Sequence, residues 1–207
     1  MLAFHLIVSA YGFWLPNDPR GSWSDFVGAW ELLKFGPATK VNDARSYAKD
    51  PHDVALRRAA KQSLKFPPVR FNASQRHAIA DGFAQACTDA DYHCLACHIG
   101  HDHAHLVIVA HPRPIAIITG HLKSAATRVL TAANLHPLTA YIGKRGGLPS
   151  PWAEGNWKVY LDTPAHCESA IRYVQRHSAK EHLPPQLWHF VRPVDPYTLT
   201  PRRAATR

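Results

Sequence analysis

The sequence predicts an α+β fold built on one antiparallel sheet, and three observations support this. With a long insertion set aside, the segments follow the order strand, helix, strand, strand, helix, strand, and one further helix comes last. Residues 2–11 and 103–110 are near-continuous apolar runs, as expected for two central strands. Gly100 to Asp102 form a tight connection that joins strand 91–99 to strand 103–110 as a hairpin. This βαββαβ order is the ferredoxin-like pattern.

Residues 11–23 follow the first strand and predict a loop, because Pro, Gly, Asn and Asp interrupt them. Two interpretations of this loop stay open. Trp14 could stack on a base while Arg20 holds a phosphate, as in proteins that bind single-stranded nucleic acid. Alternatively, the tryptophans anchor an ordered surface loop.

Residues 24–72 predict an insertion into the sheet domain. A helix near 52–65 is expected within it, because apolar residues alternate there with basic ones at helical spacing. Its basic face either touches a nucleic acid backbone or is a solvated helix face.

Two longer helices follow the insertion. Asn72 or Ser74 can cap the first, which is expected to run to about Asp89. The second is expected at 114–133, where apolar residues recur with helical period. Basic residues on this second helix and in the Gly-rich loop 143–151 are candidates for nucleic acid contacts: Lys123, Arg128, Lys144 and Arg145.

The last helix of the domain follows strand 157–161. Thr163 is a good N-cap and Pro164 a good first helical residue, so we expect a helix from there to about His177. Tyr173 and His177 are four residues apart, so they share a helix face one turn from each other. The core stripe of this helix is formed by other residues: Cys167, Ile171 and Val174.

The composition favours a polyanionic partner. The chain has 207 residues, 46% of them hydrophobic, with 24 Lys and Arg against 15 Asp and Glu, a formal net charge of +9. We expect one domain over residues 1–183, followed by a Pro-rich basic tail at 184–207 that ends with Arg202 and Arg203. Nucleic acid is the simplest partner for this charge.

The compartment is expected to be reducing. Four cysteines in a chain of this length form no secreted disulfide framework. The N-terminus superficially resembles a signal peptide but lacks a positive n-region and carries His5 in its short apolar run. No segment approaches the length of a transmembrane helix. These features predict a cytoplasmic, nucleoid-associated protein with no membrane contact.

The segment 101–109, His-Asp-His-Ala-His-Leu-Val-Ile-Val, carries the strongest chemical signal. Side chains alternate between faces along a strand, so His103 and His105 point the same way. Two imidazoles side by side on a rigid strand make half of a metal site. His101 is a third histidine close by.

A His-x-His strand, a helical tyrosine, a histidine one turn later and a basic domain are together the parts of a metal-assisted phosphodiester transesterification. Tyrosine has a pKa of about 10, so it needs help as a nucleophile. A divalent ion would stabilise the charge that develops on the phosphate. Attack by Tyr173 would leave a covalent phosphotyrosine and a free 3′-hydroxyl.

Two of these segments resemble the single-tyrosine transposases. Residues 102–108, Asp-His-Ala-His-Leu-Val-Ile, resemble their His-hydrophobic-His (HUH) motif, and residues 171–177, Ile-Arg-Tyr-Val-Gln-Arg-His, resemble their nucleophile helix. The segment 11–23 resembles one that is common in the REP-associated tyrosine transposases (RAYT).

The resemblance implies Tyr173 as the nucleophile and His103 and His105 as ligands of Mg²⁺ or Mn²⁺. His177 stands where the family often has Gln or Asn as a third ligand, and Gln175 is a weaker candidate. The substrate implied is single-stranded or hairpin DNA, which Arg172 and Arg176 could contact. Related enzymes include monomers and homodimers.

Other functions fit parts of the sequence. Residues 94–98, Cys-Leu-Ala-Cys-His, match the haem attachment pattern and could also offer zinc ligands. On a regular strand Cys94 and Cys97 face opposite ways, so a buried pair of reduced cysteines is expected instead. A second class of function is non-catalytic nucleic acid binding, either to RNA or as a domesticated transposase that binds DNA hairpins without cleaving them.

Overall fold

The computed structural model describes residues 1–42 and 47–201, so the predicted basic end of the tail, Arg202 and Arg203, lies outside the described residues. Four strands form one antiparallel sheet in the order β2-β3-β1-β4. This confirms the predicted α+β fold class and its two central strands. The strands are β1 (Ala3–Ser9), β2 (Cys94–Ile99), β3 (His103–Val109) and β4 (Trp157–Leu161).

The helices cover both faces of the sheet. The described helices are α1 (Val54–Gln62), α2 (Ala73–Ala90), α3 (Ile115–Ala132), α4 (Pro164–Gln175) and α5 (His177–Lys180), with short 3₁₀ turns at Trp30–Phe35, Thr139–Tyr141 and Pro196–Thr198. The helices α2 and α3 pack on each other, and α4 packs on all four strands. None of the described helices is long and apolar enough to cross a membrane.

Strand β3 separates two apolar cores, as its alternation predicts. Leu106 and Ile108 belong to the core beneath α2 and α3. Val107 and Val109 belong to the core beneath α4. Because His105 has the same parity as Val107, its side chain lies on the α4 side of the sheet. The α4 face is therefore the face that carries the candidate site.

Two predicted helix starts are confirmed by their caps. The Asn72 side chain accepts a hydrogen bond from the backbone N–H of Gln75 at 2.9 Å, and the Gln75 side chain accepts one in return from the backbone of Asn72. Thr163 accepts a hydrogen bond from the backbone N–H of His166 at 3.2 Å, with Pro164 as the first helical residue.

Several predicted boundaries are wrong. The first strand ends at Ser9 instead of residue 11, and β2 begins at Cys94 instead of residue 91. The latter start is delayed because Asp91, at φ 53°, ends α2 in a left-handed conformation. The helix expected to reach His177 ends at Gln175, and His177 instead begins α5.

A β-bulge corrects the expected orientation of the cysteines. The register of β2 against β3 shifts between Cys94 and Ala96, so two successive residues oppose one. Cys94 and Cys97 consequently both lie in the core beneath α2 and α3. All four cysteines are free and buried, which confirms the predicted burial of Cys94 and Cys97. Within the described chain, no group of three potential metal ligands includes a cysteine.

The predicted insertion, residues 24–72, forms no strand of the sheet within its described residues. It carries helix α1, close to the expected place, and the 3₁₀ turn Trp30–Phe35. Leu32 and Ala60 pack with Leu15 in a small core of their own. The insertion thus packs against the loop 11–23, which borders the candidate site.

Candidate functional site: a histidine cluster beside a tyrosine

Three histidines converge on the α4 face of the sheet. His103 and His105 project from β3, and His177 comes from the start of α5. One ligand nitrogen from each lies within 4.8 Å of the other two. The rings of His105 and His177 are 4.1 Å apart between centroids. His101 is outside this cluster and accepts a hydrogen bond from Arg76 at 3.3 Å.

Neighbouring side chains fix the orientation of two of these imidazoles. The Nδ1 of His103 lies 2.9 Å from Oδ1 of Asp102, and the Nδ1 of His105 lies 3.0 Å from Nε2 of His5. Such partners on the remote ring nitrogen set the tautomer of a metal-binding histidine and leave Nε2 as the ligand atom.

Unsatisfied nitrogens show that this cluster suits a metal ion. Among the described residues, Nε2 of His105 and Nδ1 of His177 are buried without a hydrogen-bond partner. Buried polar atoms without a partner are costly, and they call for a ligand that the protein does not supply. Three imidazoles with free lone pairs meet this requirement for a divalent ion.

Burial favours the neutral form of three imidazoles of the site, those of His5, His105 and His177. It lowers the pKa of His5 to about 4. Burial, followed by the charges of His103 and His98, lowers the pKa of His177 to about 4 as well. The pKa of His105 falls well below its ordinary value for the same main reason. Neutral imidazoles bind a metal ion without first losing a proton.

These pKa values predict that the metal-free protein loses stability in acid. The unfolded chain binds a proton on His5 near pH 6.5, but the folded chain does so only near pH 4. Between these values the unfolded state holds more protons, so stability falls as pH falls, by about 1.4 kcal/mol per pH unit for this group. When the free energy of unfolding is measured between pH 7 and 4.5, its slope against pH should be smaller in His5→Gln by the contribution of one proton. An unchanged slope in His5→Gln would contradict the buried neutral state of His5. The control is His166→Gln, at an exposed histidine, which should leave the slope unchanged.

Tyr173 lies at the edge of the histidine cluster, with 40% of its surface exposed. Its ring centroid is 5.1 Å from that of His177 and 5.5 Å from that of His105. Burial and the negative charge of Glu181 raise the pKa of the phenol. Lys180 places its Nζ 3.9 Å from the ring centroid and covers one ring face. The predicted shared face of Tyr173 and His177 is therefore present despite the helix break between them.

Four residues of this site were not among the sequence candidates: His5, His98, Lys180 and Glu181. The Glu181 carboxylate accepts a hydrogen bond from Nε2 of His98 at 3.4 Å. Burial would raise the pKa of Glu181, but the His98 hydrogen bond and the nearby imidazoles outweigh it and lower the pKa to about 2. His5 could have been found from the sequence, since it is a lone histidine inside an apolar strand.

The loop candidates Trp14 and Arg20 are held within the protein. The Arg20 guanidinium lies 3.8 Å from the Trp14 ring centroid and pairs with Asp18 at 2.7 Å. The Trp14 indole donates to the Gly21 carbonyl oxygen at 2.7 Å. These contacts order the loop around Trp14, and nucleic acid contact by Trp14 and Arg20 stays a prediction.

The remaining basic candidates differ in solvent exposure and in the number of contacts that they make within the protein. Lys123 donates to three successive carbonyl oxygens, those of residues 153–155, and burial lowers its pKa to about 8. Arg172 pairs with Glu168 at 3.4 Å on the exposed surface of α4. The others are exposed to solvent: Arg128, Lys144, Arg145 and Arg176.

A large cavity of about 1680 Å³ opens onto the cluster. Its walls include His103, His105, Tyr173 and His177. Aromatic side chains from the loop, the insertion and β4 line the rest of it, among them Phe13, Trp23, Phe26, Phe66 and Trp157. Phe13 stacks on His103 with 4.7 Å between ring centroids. The tyrosine and the histidines thus face a space that a large substrate can enter.

Comparisons with known proteins give no match to a protein-family model and none to a curated protein. Several solved structures are similar, and two of them are transposases by description. A REP-associated tyrosine transposase bound to a REP hairpin is 9% identical over 86% of this chain and 67% of its own, with a TM-score of 0.45. "A putative transposase" from Deinococcus radiodurans is 15% identical over 88% of this chain and 92% of its own, with a TM-score of 0.38. At such low identities and scores, neither likeness bears on the chemistry of this chain.

Proposed function

We propose that this protein is a metal-dependent DNA transposase or endonuclease that cleaves and rejoins single-stranded DNA through Tyr173. The observation that carries the proposal is the phenol of Tyr173 beside three converging imidazoles at the wall of a wide cavity. A nucleophile next to a divalent-ion site is the arrangement that phosphodiester transesterification needs.

His103, His105 and His177 would hold the ion, for which we propose Mg²⁺ or Mn²⁺. When bound, the ion supplies Lewis acidity that polarises the scissile phosphate. The protein's own part is to hold three imidazoles in place, through Asp102 on one side and His5 on the other.

The proposed step conserves the phosphodiester energy. Tyr173 Oη attacks the phosphorus and loses its proton, and the bond between phosphorus and the 3′ oxygen breaks. The 3′ oxygen takes up a proton and leaves as a hydroxyl, while the 5′ side stays attached to the protein as a phosphotyrosine. Attack by a 3′-hydroxyl on this intermediate reverses the step and rejoins DNA.

The cavity supports single-stranded or hairpin DNA as the substrate. Its aromatic walls offer stacking surfaces for unpaired bases, such as Trp23, which is 45% exposed. Exposed basic residues on the same protein, including Arg176 and the loop residues Lys144 and Arg145, supply charge for the backbone. A net charge of +9 agrees with this partner.

Cleavage of labelled single-stranded DNA hairpins in the presence of Mn²⁺ tests this proposal. We expect a shortened fragment with a free 3′-hydroxyl and a second fragment that stays with the protein after denaturation, both lost on addition of a chelator. Tight binding of several hairpins without products would replace the proposal with that of a non-cleaving DNA-hairpin-binding protein. Cleavage that persists in the chelator would remove the metal from the reaction.

A further inference from the structure

Glu181 follows helix α5 and points its carboxylate into the histidine cluster. Its Oε1 lies 3.5 Å from Nε2 of His103 and 3.9 Å from Nε2 of His177. Its Oε2 accepts the hydrogen bond from His98 at 3.4 Å. One carboxylate oxygen therefore lies beside Nε2 of His103, a proposed ligand atom, and beside the nitrogen of His177 that faces away from the unpartnered Nδ1.

We infer that Glu181 is a fourth protein ligand of the divalent ion and supplies its anionic oxygen donor. This inference rests on the proposed function, because it concerns the same metal site. It adds a residue that lies eight positions after Tyr173, well beyond the segment 171–177 in which the sequence placed the tyrosine and the third ligand.

The place of Glu181 fits that of a ligand next to His103. Ligand atoms of Glu181, His103 and Asp102 lie within 4.8 Å of one another, and Oε1 of Glu181 is 3.5 Å from Nε2 of His103. Ligands bonded at about 2.1 Å in an octahedron are roughly 3 Å from one another. A small side-chain movement would therefore bring Oε1 of Glu181 to the spacing of a ligand that neighbours Nε2 of His103.

The surrounding structure holds the carboxylate at this place. Ser178 Oγ lies 3.1 Å from Nδ1 of His98, and Nε2 of the same ring donates to Glu181. The residue opposite is Gly100, where an added Cβ would collide with the Glu181 carboxyl group. The chain thus leaves space for this carboxylate and gives it a buried hydrogen-bond donor, which an unused surface glutamate would lack.

A carboxylate ligand would change which metal ion the site prefers. Mg²⁺ and Mn²⁺ prefer oxygen ligands, whereas a site of three imidazoles alone suits Zn²⁺ and other later metals. A carboxylate also offsets one of the two positive charges of the ion. Glu181 should therefore bias the site toward Mn²⁺ relative to Zn²⁺.

Metal titration without DNA tests this role. Mn²⁺ binding, followed by electron paramagnetic resonance of the free ion, should weaken by roughly tenfold or more in Glu181→Gln. Zn²⁺ binding should weaken less, so the ratio of Zn²⁺ to Mn²⁺ affinity rises. Gly100→Ala should weaken Mn²⁺ binding in the same direction by displacing the carboxylate, and Glu181→Asp should restore part of it. Glu168→Gln on α4, where the side chain is 44% exposed, is the matched control.

The outcomes separate this inference from the proposed function. If the wild-type protein binds no Mn²⁺, the proposed metal-dependent function fails. If the wild type binds Mn²⁺ and Glu181→Gln binds it equally well with an unchanged Zn²⁺ ratio, only the role of Glu181 is overturned. Tighter Mn²⁺ binding in Glu181→Gln would also overturn it, because the carboxylate would then compete with the ion. Thermal unfolding of each variant establishes that it is folded before titration.

Discussion

Tyr173→Phe is expected to abolish DNA cleavage, with a loss of roughly 10³-fold or more. The substitution removes the attacking oxygen and nothing else from the site. The ring contacts with His105, His177 and Lys180 are kept, because a phenylalanine ring fills the same space. Tyr173 is 40% exposed, so its hydroxyl supports no buried network and the fold should persist.

This loss should occur without a change in metal or DNA binding, which separates a nucleophile from a structural tyrosine. Mn²⁺ affinity and hairpin affinity of Tyr173→Phe should equal those of the wild type. Tyr197→Phe, at an exposed tyrosine that does not line the cavity, should retain full cleavage. Substantial cleavage by Tyr173→Phe would move the nucleophile to another residue.

The second large effect is expected at His105, the most buried of the three proposed histidine ligands. His105→Gln removes one imidazole from a cluster whose ligand atoms lie within 4.8 Å of one another. It also replaces the ring that His5 contacts at 3.0 Å. We expect Mn²⁺ affinity to fall by roughly 100-fold or more, with cleavage lost at low Mn²⁺ and partly recovered at high Mn²⁺.

Calorimetric titration of His105→Gln with Mn²⁺ checks this expectation, and thermal unfolding checks that the variant is folded. Replacing a buried hydrogen-bonded ring should itself cost about 1–3 kcal/mol of stability. His166→Gln changes an exposed histidine at the start of α4 and should alter neither quantity. Unchanged Mn²⁺ affinity in His105→Gln would show that His105 is not a ligand of the ion.

Much of the fold follows from local patterns. The alternation of side chains along β3 correctly predicted which residues face each of the two cores, because helices cover both faces of this central strand. The bulge in β2 had no comparable signal. It depends on how Cys94 and Ala96 pair with a neighbouring strand, and sequence alternation alone does not report pairing register.

The site was only partly predictable for a similar reason. His103, His105 and Tyr173 stand out because their spacing places them on regular elements. His5 lies on β1 and Glu181 follows α5. They come close to the other site residues only because β1 pairs with β3 and because the chain breaks between α4 and α5. Lys123 was chosen as a basic residue on a helix flank, and the sequence did not indicate that it donates to three carbonyl groups of the chain itself.

The most direct test of the central claim is to identify the residue that becomes covalently linked to DNA. The wild-type protein would be incubated with a single-stranded hairpin substrate and Mn²⁺, denatured and digested, and the DNA-linked peptide mapped by mass spectrometry. We predict a nucleotide attached through its 5′ phosphate to Tyr173. A nucleotide on any other residue, or cleaved DNA with no linked peptide, would contradict the proposed mechanism.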